Sequence, residues 1–562
     1  MKQLSSIVLA GLACAGIAAC SDQLTVDNLN NADQGRALAR PVDVENLIAG
    51  SFNTMHRATI GAATLNPQML VLGMENYSAL ANFSMGVRAT IPRPPINNDR
   101  GNPVATENYA PFLGLHRAAR AAAIGLSRVI QPTFTFFPTN VNQTNRARAF
   151  AKFVIGVSLG QVAMAYDSGS AISEKDDLTL LTALPFVGYD SLAKYALANL
   201  DSARALAVAA GAAGITGQTI PATWLSNGGT ALTSAQFAGL IQGWEARIRA
   251  GVARTPAERA AVRWDSVLND ANGFVAQFPT DFVQQLTPAN GWDNGWLPTM
   301  YASSSVNWHM MWGYMAYFSA TAAQFDGWLA TPAGSRPTLV MTTDDQRWPQ
   351  GATRLAQQCQ SQSVTTGCGA NPTVAPAFQY VENRVNDWAA DPSAGSQYRH
   401  KRFLALNNVS RVGNFPSMTT AEINLLAAEA EFRAGSFLAA ANRVDATRVS
   451  RGGLPRLGTG GAVISDNVTP VPNGVSGCVP RIPVGPSFTS SACGTLWEAL
   501  KYEKRMETQY TSWANWWFDG RGWGDLPAAT PPHWPVPYQE MDARAVPFYP
   551  IQGTAPVGTY GL

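Results

Sequence analysis

The sequence predicts an all-α, mostly helical fold, in which a scaffold of paired helices carries long loop-rich insertions. Apolar residues recur at helical spacing in many segments, several of which begin with residues that favour helix starts. Long stretches rich in Pro, Gly, Asn and Ser separate these segments and are typical of loops. We therefore expect the helices to form the core and the loops to carry any binding site. The segments predicted to be helical are 41–58, 109–130, 143–166, 189–209, 234–250, 256–272, 419–434, 437–450 and 495–517, and the predicted insertions are 63–108, 211–233, 273–310, 331–400 and 452–494.

The composition excludes some classes of function. The chain has 562 residues, of which 46% are hydrophobic, and this is ample for a large core. Only 14% of the residues are charged, the net charge is +2 and no basic run is present, which argues against nucleic-acid binding. The chain has only five histidines, which limits the metal-binding or acid–base chemistry that could depend on histidine. We predict no metal and no cofactor.

The first twenty residues have the pattern of an export signal. Lys2 supplies the positive charge, and residues 7–19 form a short apolar run. The run ends in Ile-Ala-Ala-Cys, which resembles the lipobox of bacterial lipoproteins, where the cysteine becomes the lipidated first residue. We predict a signal peptide over 1–19 and lipidation of Cys20, with an ordinary signal peptide cut after Ala19 as the alternative.

Beyond Cys20 we predict two regions. Residues 20–40 are polar and suit a tether, and residues 41–562 are predicted to form one domain. No further run of 18 apolar residues appears, so the mature protein is not expected to span a membrane.

Several helix starts can be recognised. Pro41 suits the first turn of a helix. Thr255 and Glu258 form a capping box with a proline at the first helical position, and Thr419 and Glu422 form a second box. Gly435 ends the helix that follows the second box, and a further helix over 437–450 predicts a helix–turn–helix hairpin.

The stretch 495–525 predicts one long core helix. Ala499, Tyr502, Met506, Tyr510, Trp513 and Trp517 are spaced as one apolar stripe. Thr495 and Glu498 predict a capping box at its start, and Gly520, Gly522 and Gly524 predict its end. The charged residues exclude a membrane crossing. We expect Glu503 and Glu507 to make structural ion pairs with the neighbouring Lys504 and Arg505.

Four cysteines beyond the leader form two close pairs. Cys359 with Cys368 and Cys478 with Cys493 lie in loop-like stretches. In an exported protein such pairs indicate local disulfides. Zinc is the rival interpretation, which is weakened because neither pair has a Cys-x-x-Cys spacing or a nearby histidine.

The highest density of aromatic residues lies in 292–328, whose first part is the leading candidate for ligand binding. Its aromatic residues stand among Asn, Gly, Pro and Ser and do not form a helical stripe. Aromatic faces beside amide and carboxylate groups suit a sugar ring, and the same surface would suit an extended peptide. The alternative is that these side chains pin the insertion to the scaffold. The candidate residues are Trp292, Asp293, Asn294, Trp296, Tyr301 and Trp308, whereas 312–325 is assigned to the core.

A second candidate is Asn76 with Tyr77, which follow Glu75 in the first long insertion and precede Phe83 and Arg88. The adjacency of polar and aromatic residues is a weak signal, and a packing role is the favoured interpretation.

Enzyme signatures are few, and we predict no catalytic residues. Gly156, Ser158 and Gly160 match G-x-S-x-G, but they fall inside a predicted apolar helix and not on a strand–turn–helix elbow. No zincin, P-loop or EF-hand motif is present. Asp344 and Asp345 are adjacent, but sequence cannot establish the spacing that a glycosidase needs.

Four separated pieces of the chain resemble the SusD/RagB family of nutrient-binding lipoproteins. They are the lipobox with the opening through Phe52, the segment 428–455 (AEAEFRAGSFLAAANRVDATRVSRGGLP), the block EKRMETQY with WWFDGRGWG at 503–524, and the proline-rich ending PVPYQEMDARAVPFYPI at 535–551. Together they cover about a third of the chain and bracket all of it.

This resemblance implies a tetratricopeptide-like superhelix of helix pairs with a loop-rich half that binds ligand. It further implies a lipid-anchored protein on the exterior of the outer membrane, which captures glycans and delivers them to a SusC-like TonB-dependent transporter without catalysis. Ligand contacts in the family are typically loop aromatics, which fits Trp292 and Trp296.

Three alternatives stay open at this point. The ligand of such a lipoprotein could be a peptide and not a glycan. The chain could be a lipidated, helical, secreted glycosidase or lyase, which would need two carboxylates in a cleft beside the tryptophans. It could also be a structural interaction module, in which the tryptophans would be buried.

Overall fold

The protein is described here by a computed structural model. It describes residues 38–61, 65–78, 82–137, 141–179, 181–212, 220–301, 311–332, 336, 340–369, 378–383 and 396–562. The leader, Cys20, most of the tether and Trp308 lie outside these residues.

Helices dominate the described residues, as predicted for a mostly helical fold. The helices are α1 (Pro41–Ala58), α2 (Asn66–Leu72), α3 (Met85–Ala89), α4 (Ala105–Val129), α5 (Val141–Ala165), α6 (Tyr189–Ala212), α7 (Ala222–Leu225), α8 (Ser234–Gly251), α9 (Pro256–Ala260), α10 (Trp264–Gln277), α11 (Leu297–Met300), α12 (Gly313–Tyr317), α13 (Ala322–Ala330), α14 (Arg354–Gln360), α15 (Leu404–Asn408), α16 (Thr420–Arg433), α17 (Phe437–Arg448), α18 (Leu496–Glu507), α19 (Asn515–Trp523) and α20 (Tyr538–Ala543).

The strands are short and pair into four antiparallel two-stranded sheets among the described residues. The pairs are β1 (Ser168–Ser170) with β2 (Phe186–Gly188), β3 (Phe282–Leu286) with β6 (Gly413–Met418), β4 (Val381–Asn383) with β5 (Tyr398–His400), and β7 (Arg481–Pro483) with β8 (Ser491–Cys493). The pairs β4–β5 and β7–β8 each lie within one insertion, and β3–β6 attaches the insertion 273–310 to the segment that precedes α16.

The long helices form an array in which each packs on its neighbours in the series. The order of packing is α1, α4, α5, α6, α8, α10, α16 and α17, and α18 then packs on both α16 and α17. Because neighbours in the array are also successive long helices of the chain, the scaffold is built from helix pairs, as predicted.

Glycines allow close approach between these helices. A Cβ atom on Gly156 would lie 2.6 Å from Leu200 Cγ, and one on Gly160 would lie 2.3 Å from Ile248 Cδ1. Both glycines belong to the G-x-S-x-G match, which lies inside α5 as predicted. The match therefore serves packing between α5, α6 and α8.

Within α5, residues Gln143–Ala165 are apolar and long enough to cross a membrane by length and composition. This is the one helix among the described residues that meets this criterion, and 89% of its most apolar window is buried inside the protein. Such burial is typical of a helix in the core of a folded domain.

Two helix predictions need correction. The predicted helix over 256–272 is divided into α9 and α10. The stretch 495–525 forms α18 and α19 and not one helix, because Tyr510 and Ala514 between them adopt left-handed backbone conformations with φ of 52° and 59°. The residues of the predicted stripe are nevertheless buried.

The ends of these two helices also differ from the prediction. Thr495 does not cap α18, since its Oγ1 donates to Asn467 Oδ1 at 2.9 Å. Gly520 and Gly522 lie inside α19, and only Gly524, with φ of 76°, ends it. In contrast, the hydroxyls of Thr255 and Thr419 accept backbone hydrogen bonds at the starts of α9 and α16, as predicted.

All six charged side chains of α18 are buried, although they fall largely outside its apolar stripe. Glu503 and Glu507 do pair, but with a different partner from the one predicted. Their partner is Arg347, which lies in the insertion 331–400. Its guanidinium is 2.6 Å from Glu503, 3.0 Å from Glu507 and 2.8 Å from Asp345. Although burial opposes its charge, Asp345 and Glu503 raise the pKa of Arg347 well above the ordinary value.

The basic residues of α18 are paired in the same way. Lys504 lies 2.8 Å from Asp519, and Lys501 lies 2.9 Å from Asp525, which also pairs with Arg505. We call these pairs and those of Arg347 the buried ion network.

Both predicted disulfides are present. Cys359 is bonded to Cys368, and Cys478 is bonded to Cys493. Each closes a local loop within a long insertion, and the zinc interpretation is thereby excluded for both pairs.

We expect Arg347→Ala to lower the free energy of unfolding by about 3–5 kcal/mol, because it leaves buried carboxylates without their cation. Denaturant unfolding followed by tryptophan fluorescence measures this. The control is Arg263→Ala. Arg263 forms an exposed ion pair with Asp265, and the exposed fractions of the two side chains are 76% and 72%. That pair should contribute no more than about 1 kcal/mol. Equal losses in the two variants would contradict the role of the network.

Candidate functional site

The predicted aromatic segment begins with Trp292, which is buried. Its ring lies 5.1 Å from the ring of His56 and 6.1 Å from that of Phe52, both on α1. Its carbonyl accepts a hydrogen bond from Thr287 N at 2.7 Å. Trp292 therefore attaches the insertion to the first helix of the scaffold.

The polar residues that follow Trp292 also have partners. The Asp293 carboxylate is half-buried and accepts a hydrogen bond from Arg411 Nε at 2.8 Å. Asn294 is fully buried, and its Oδ1 accepts a hydrogen bond from Leu297 N at 3.3 Å, which supports the start of α11. Of the two, only Asp293 retains access to solvent.

The structure brings part of the two sequence candidates together around Tyr510. The Trp296 ring lies 5.4 Å from the Tyr510 ring, and the Tyr301 ring lies 6.0 Å from it. The Tyr510 hydroxyl donates to Asn76 Oδ1 at 2.7 Å. Tyr77 instead packs edge-on against Trp312 at 5.5 Å.

In this arrangement the predicted aromatic residues are packed inside the protein. Trp292 is 8% exposed, Trp296 is 1% exposed and Tyr301 is 4% exposed. Asn76 and Tyr77 are also buried. A ligand-contacting role for these residues stays a prediction, and Trp308 lies outside the described residues.

A small cavity lies next to His56. Its volume of about 30 Å³ leaves room for roughly one or two water molecules. Gln161, Gln284 and Trp513 are among its lining residues. Burial lowers the pKa of His56 to about 4, so the imidazole is neutral at neutral pH. The cavity is too small for a sugar ring.

A much larger cleft, of about 460 Å³, lies at the C-terminal end of α19. This volume falls within the range of roughly 300 to 1,000 Å³ that is usual for ligand pockets. Three separate stretches of the chain build it. The lining residues are Arg254, Thr255, Pro256, Gly520, Arg521, Trp523, Gly524, Leu526, Thr530, Pro532, Thr554, Ala555, Pro556, Val557 and Thr559.

The start of α9 and the end of α19 approach each other closely beside the cleft. Thr255 caps α9, and Pro256 occupies its first turn. Gly524 ends α19 with positive φ, and a Cβ atom there would lie 2.9 Å from Pro256 Cγ. Gly524 carbonyl also accepts a hydrogen bond from Thr559 N at 2.9 Å, which attaches the exposed segment 554–559 as the outer wall.

The cleft combines apolar surface, hydroxyl groups and two buried arginines. Trp523 supplies its aromatic ring, which is held in place by the indole N–H that donates to Glu429 at 3.3 Å. Arg254 and Arg521 are each about 5% exposed. Among the described residues, no Asp, Glu, His, Cys or Ser lines the cleft.

Sequence reasoning missed this cleft. Arg521 and Trp523 belong to the stretch 495–525, whose pattern predicts a core helix and whose block WWFDGRGWG carries the family resemblance, but neither observation indicates a binding site. No local pattern indicates that residues 254–256 and 554–559 lie beside it, because the three stretches meet only in the folded chain.

The described residues include no group of three or more His, Cys, Asp or Glu side chains that could hold a metal ion. The cleft offers indole, hydroxyl and guanidinium groups, which suit binding of an organic ligand.

Comparison with known proteins supports the fold. Neither a protein-family model nor a curated protein sequence matches the chain. Among solved structures, it is similar to a SusD superfamily protein from Parabacteroides distasonis, with 11% identity, 90% of this chain and 97% of that chain covered, and a TM-score of 0.51. It is also similar to a SusD homolog from Bacteroides thetaiotaomicron, with 13% identity, 91% and 97% covered, and a TM-score of 0.49.

The Parabacteroides structure carries the conclusion, and at 11% identity it shows the fold alone. The chain therefore has a SusD-like fold, as the resemblance predicted.

We expect Trp296→Ala to lower the free energy of unfolding by about 3–5 kcal/mol, because it opens a cavity at a fully packed site. Denaturant unfolding measures this. Phe378→Ala is the control, since Phe378 is 42% exposed and its truncation should cost less than about 1 kcal/mol. If Trp296→Ala were as stable as the control and lost ligand binding instead, the ligand-contacting role would gain support.

A pH dependence is expected from Glu75, whose pKa is raised by burial to about 8. Because this folded-state pKa lies above the ordinary value, the stability linked to its protonation is fully present below about pH 4.5 and is lost as the pH rises through about 8. Glu75→Gln cannot ionise, so its stability relative to the unmodified protein should rise from about pH 5 to about pH 8.5.

Urea unfolding at the two pH values tests this expectation. Asp201→Asn, at a half-exposed carboxylate, is the control and should show no comparable change. A stability difference between Glu75→Gln and the unmodified protein that is independent of pH would contradict burial of an ionisable Glu75.

Proposed function

We propose that the protein captures oligosaccharide or polysaccharide nutrients at the cell surface and passes them to a TonB-dependent outer-membrane transporter, without catalysis. The observation that carries the proposal is the cleft of about 460 Å³ beside α19. The SusD-like fold is consistent with it.

The lining of the cleft suits a sugar. A pyranose ring has apolar faces and a rim of hydroxyl groups, so it needs both an aromatic surface and hydrogen-bonding groups. Trp523, Leu526 and the prolines supply apolar surface, and threonine side chains supply hydroxyls. A peptide offers comparable chemistry through its backbone and is the second candidate.

The same lining supports binding without turnover. Glycoside hydrolysis ordinarily needs two carboxyl groups on either side of the scissile bond. The residues that line the cleft include no carboxylate, and they include no His, Cys or Ser that could act as base or nucleophile. A ligand held there would leave unchanged.

The location and partner belong to the proposal. Lipidation of Cys20 would anchor the protein to the outer membrane, and the tether 20–40 would hold the folded part at the exterior beside a SusC-like transporter. The segment 292–308 is retained as a second proposed contact surface, with Asp293 as its partly exposed polar group.

The test uses the full-length protein in detergent and isothermal titration calorimetry with panels of oligosaccharides and peptides. Ala555→Trp places a bulky ring at the outer wall of the cleft and should weaken binding at least about tenfold (~1.4 kcal/mol). The control is Ala462→Trp, at an exposed position in the insertion 452–494, which should bind normally.

Chromatography of the recovered ligand and analysis of co-purified proteins complete the experiment. Intact ligand and a co-purifying β-barrel transporter are expected. Cleavage products would overturn the binding-only proposal, and equal binding by both variants would place the ligand elsewhere.

A further inference from the structure

Within the described part of the chain, the two arginines that line the cleft have no carboxylate partner. Arg521 donates from Nη1 to the carbonyl of Pro532 and from Nη2 to the carbonyls of Met164 and Gly251, and its Nε–H has no acceptor.

Arg254 is held in a similar way. Its Nη2 donates to the carbonyls of Ala163 and Tyr166, at 3.0 and 2.6 Å, and its Nε and Nη1 have no acceptor. Its guanidinium carbon also lies 3.4 Å from the centroid of the Tyr189 ring. Carbonyl groups and an aromatic ring position a guanidinium, but they do not neutralise its charge.

Buried arginines of the fold are of two kinds. Arg88, Arg93 and Arg448 also donate to carbonyl groups without an ion pair among the described residues, but they do not line the cleft. Arg347 and Arg259 are fully buried, and each lies against carboxylates. Among the described residues, no carboxylate lies within ion-pair distance of the guanidinium of Arg254 or Arg521. A buried cation without a partner is costly, and an anion that binds beside it recovers that cost.

The nearby acids have other hydrogen-bond partners. Glu258 Oε2 accepts a hydrogen bond from the backbone N–H of Arg254, and not from its guanidinium. Asp167 accepts hydrogen bonds from the Tyr549 hydroxyl and from Val536 N.

The unbalanced charge affects neighbouring groups. Burial lowers the pKa of Arg254 to about 10. Burial, together with repulsion from Arg254, lowers the pKa of Arg521 well below its ordinary value. Burial and these two arginines also lower the pKa of His533, beside the cleft, to about 3. The Arg254 shift reflects burial, which nearby acidic groups such as Asp167 and Glu258 partly oppose. Repulsion between cations contributes to the shifts of Arg521 and His533.

We propose that the cleft selects a ligand that carries a carboxylate, which would lie against Arg254 and Arg521 while the rest of the ligand contacts Trp523 and the threonines. This proposal rests on the proposed function, because it names the chemical class of the captured ligand. A guanidinium matches a carboxylate in shape and charge. The carboxylate could come from an acidic sugar or from the end of a peptide.

The experiment compares ligands that differ only in this charge. The probes are oligogalacturonides and their methyl esters, and peptides with a free or an amidated C-terminus, titrated calorimetrically into the full-length protein in detergent. The acid forms of one ligand class should bind at least about tenfold more tightly than the uncharged forms, and the preference should shrink at high salt. The class that responds identifies the source of the carboxylate.

Variants at Val557 test the position of the site without altering the buried arginines. Val557 lines the cleft and is 58% exposed, so both Asp and Lys can be placed there without a cost in folding. Val557→Asp should weaken binding of the acid by about tenfold relative to Val557→Lys, and both should bind the ester equally. The controls are Val468→Asp and Val468→Lys, at a residue that is 81% exposed and does not line the cleft, and these two should not differ.

The outcomes separate this proposal from the proposed function. Equal affinity for acid and ester, or equal affinity of Val557→Asp and Val557→Lys for the acid, would overturn carboxylate selection and leave glycan or peptide capture standing. Absence of binding by every probe and by the neutral panel would overturn both.

Discussion

The fold depends on the need to pair the buried charges of α18. Six charged side chains of this helix lie inside the protein, so the chain must bring opposite charges to them from distant segments. Arg347 comes from an insertion, and Asp519 and Asp525 come from α19 and the turn after it. Replacing a buried ion pair with apolar residues can be neutral, but leaving one partner alone is expensive. We therefore infer that the network favours the one arrangement of these segments in which every buried charge is paired.

The network also explains the charge of the cleft. Asp519 and Asp525 are close in sequence to Arg521, but neither is free to neutralise it. Asp519 is occupied by Lys504 and Arg259, and Asp525 by Lys501 and Arg505. Because these acids pair with other cations, Arg521 donates to carbonyl groups and packs against the rings of Trp517 and Phe518. The positive charge at the cleft follows from the same pairing that fixes α18 and α19.

Sequence patterns predicted the parts of the fold that depend on neighbours in the chain. Most of the periodic helices, the caps at Thr255 and Thr419 and both local disulfides are confirmed, whereas the segments 256–272 and 495–525 each form two helices. Features that depend on distant contacts were beyond these patterns. The helix break near Tyr510 follows from contacts with Glu75 and Asn76, which lie more than 400 residues earlier in the chain. Likewise, loop composition around Trp296 indicated an insertion but not its burial, and the cleft is assembled from three remote stretches.

The two walls of the cleft differ in how firmly they are held. The inner wall belongs to α9 and α19, which are fixed by Arg259, Asp519 and the close approach of Gly524 to Pro256. The outer wall is the exposed segment 554–559, which is attached by backbone hydrogen bonds from Ala529 N to Ala555 O and from Thr559 N to Gly524 O. Because the wall that carries the arginines and Trp523 is rigid, little conformational entropy is lost when a ligand binds, and the binding free energy is not reduced by that cost. The outer wall is more exposed than the inner wall, so less free energy is needed to displace it, which is compatible with the proposed capture and delivery.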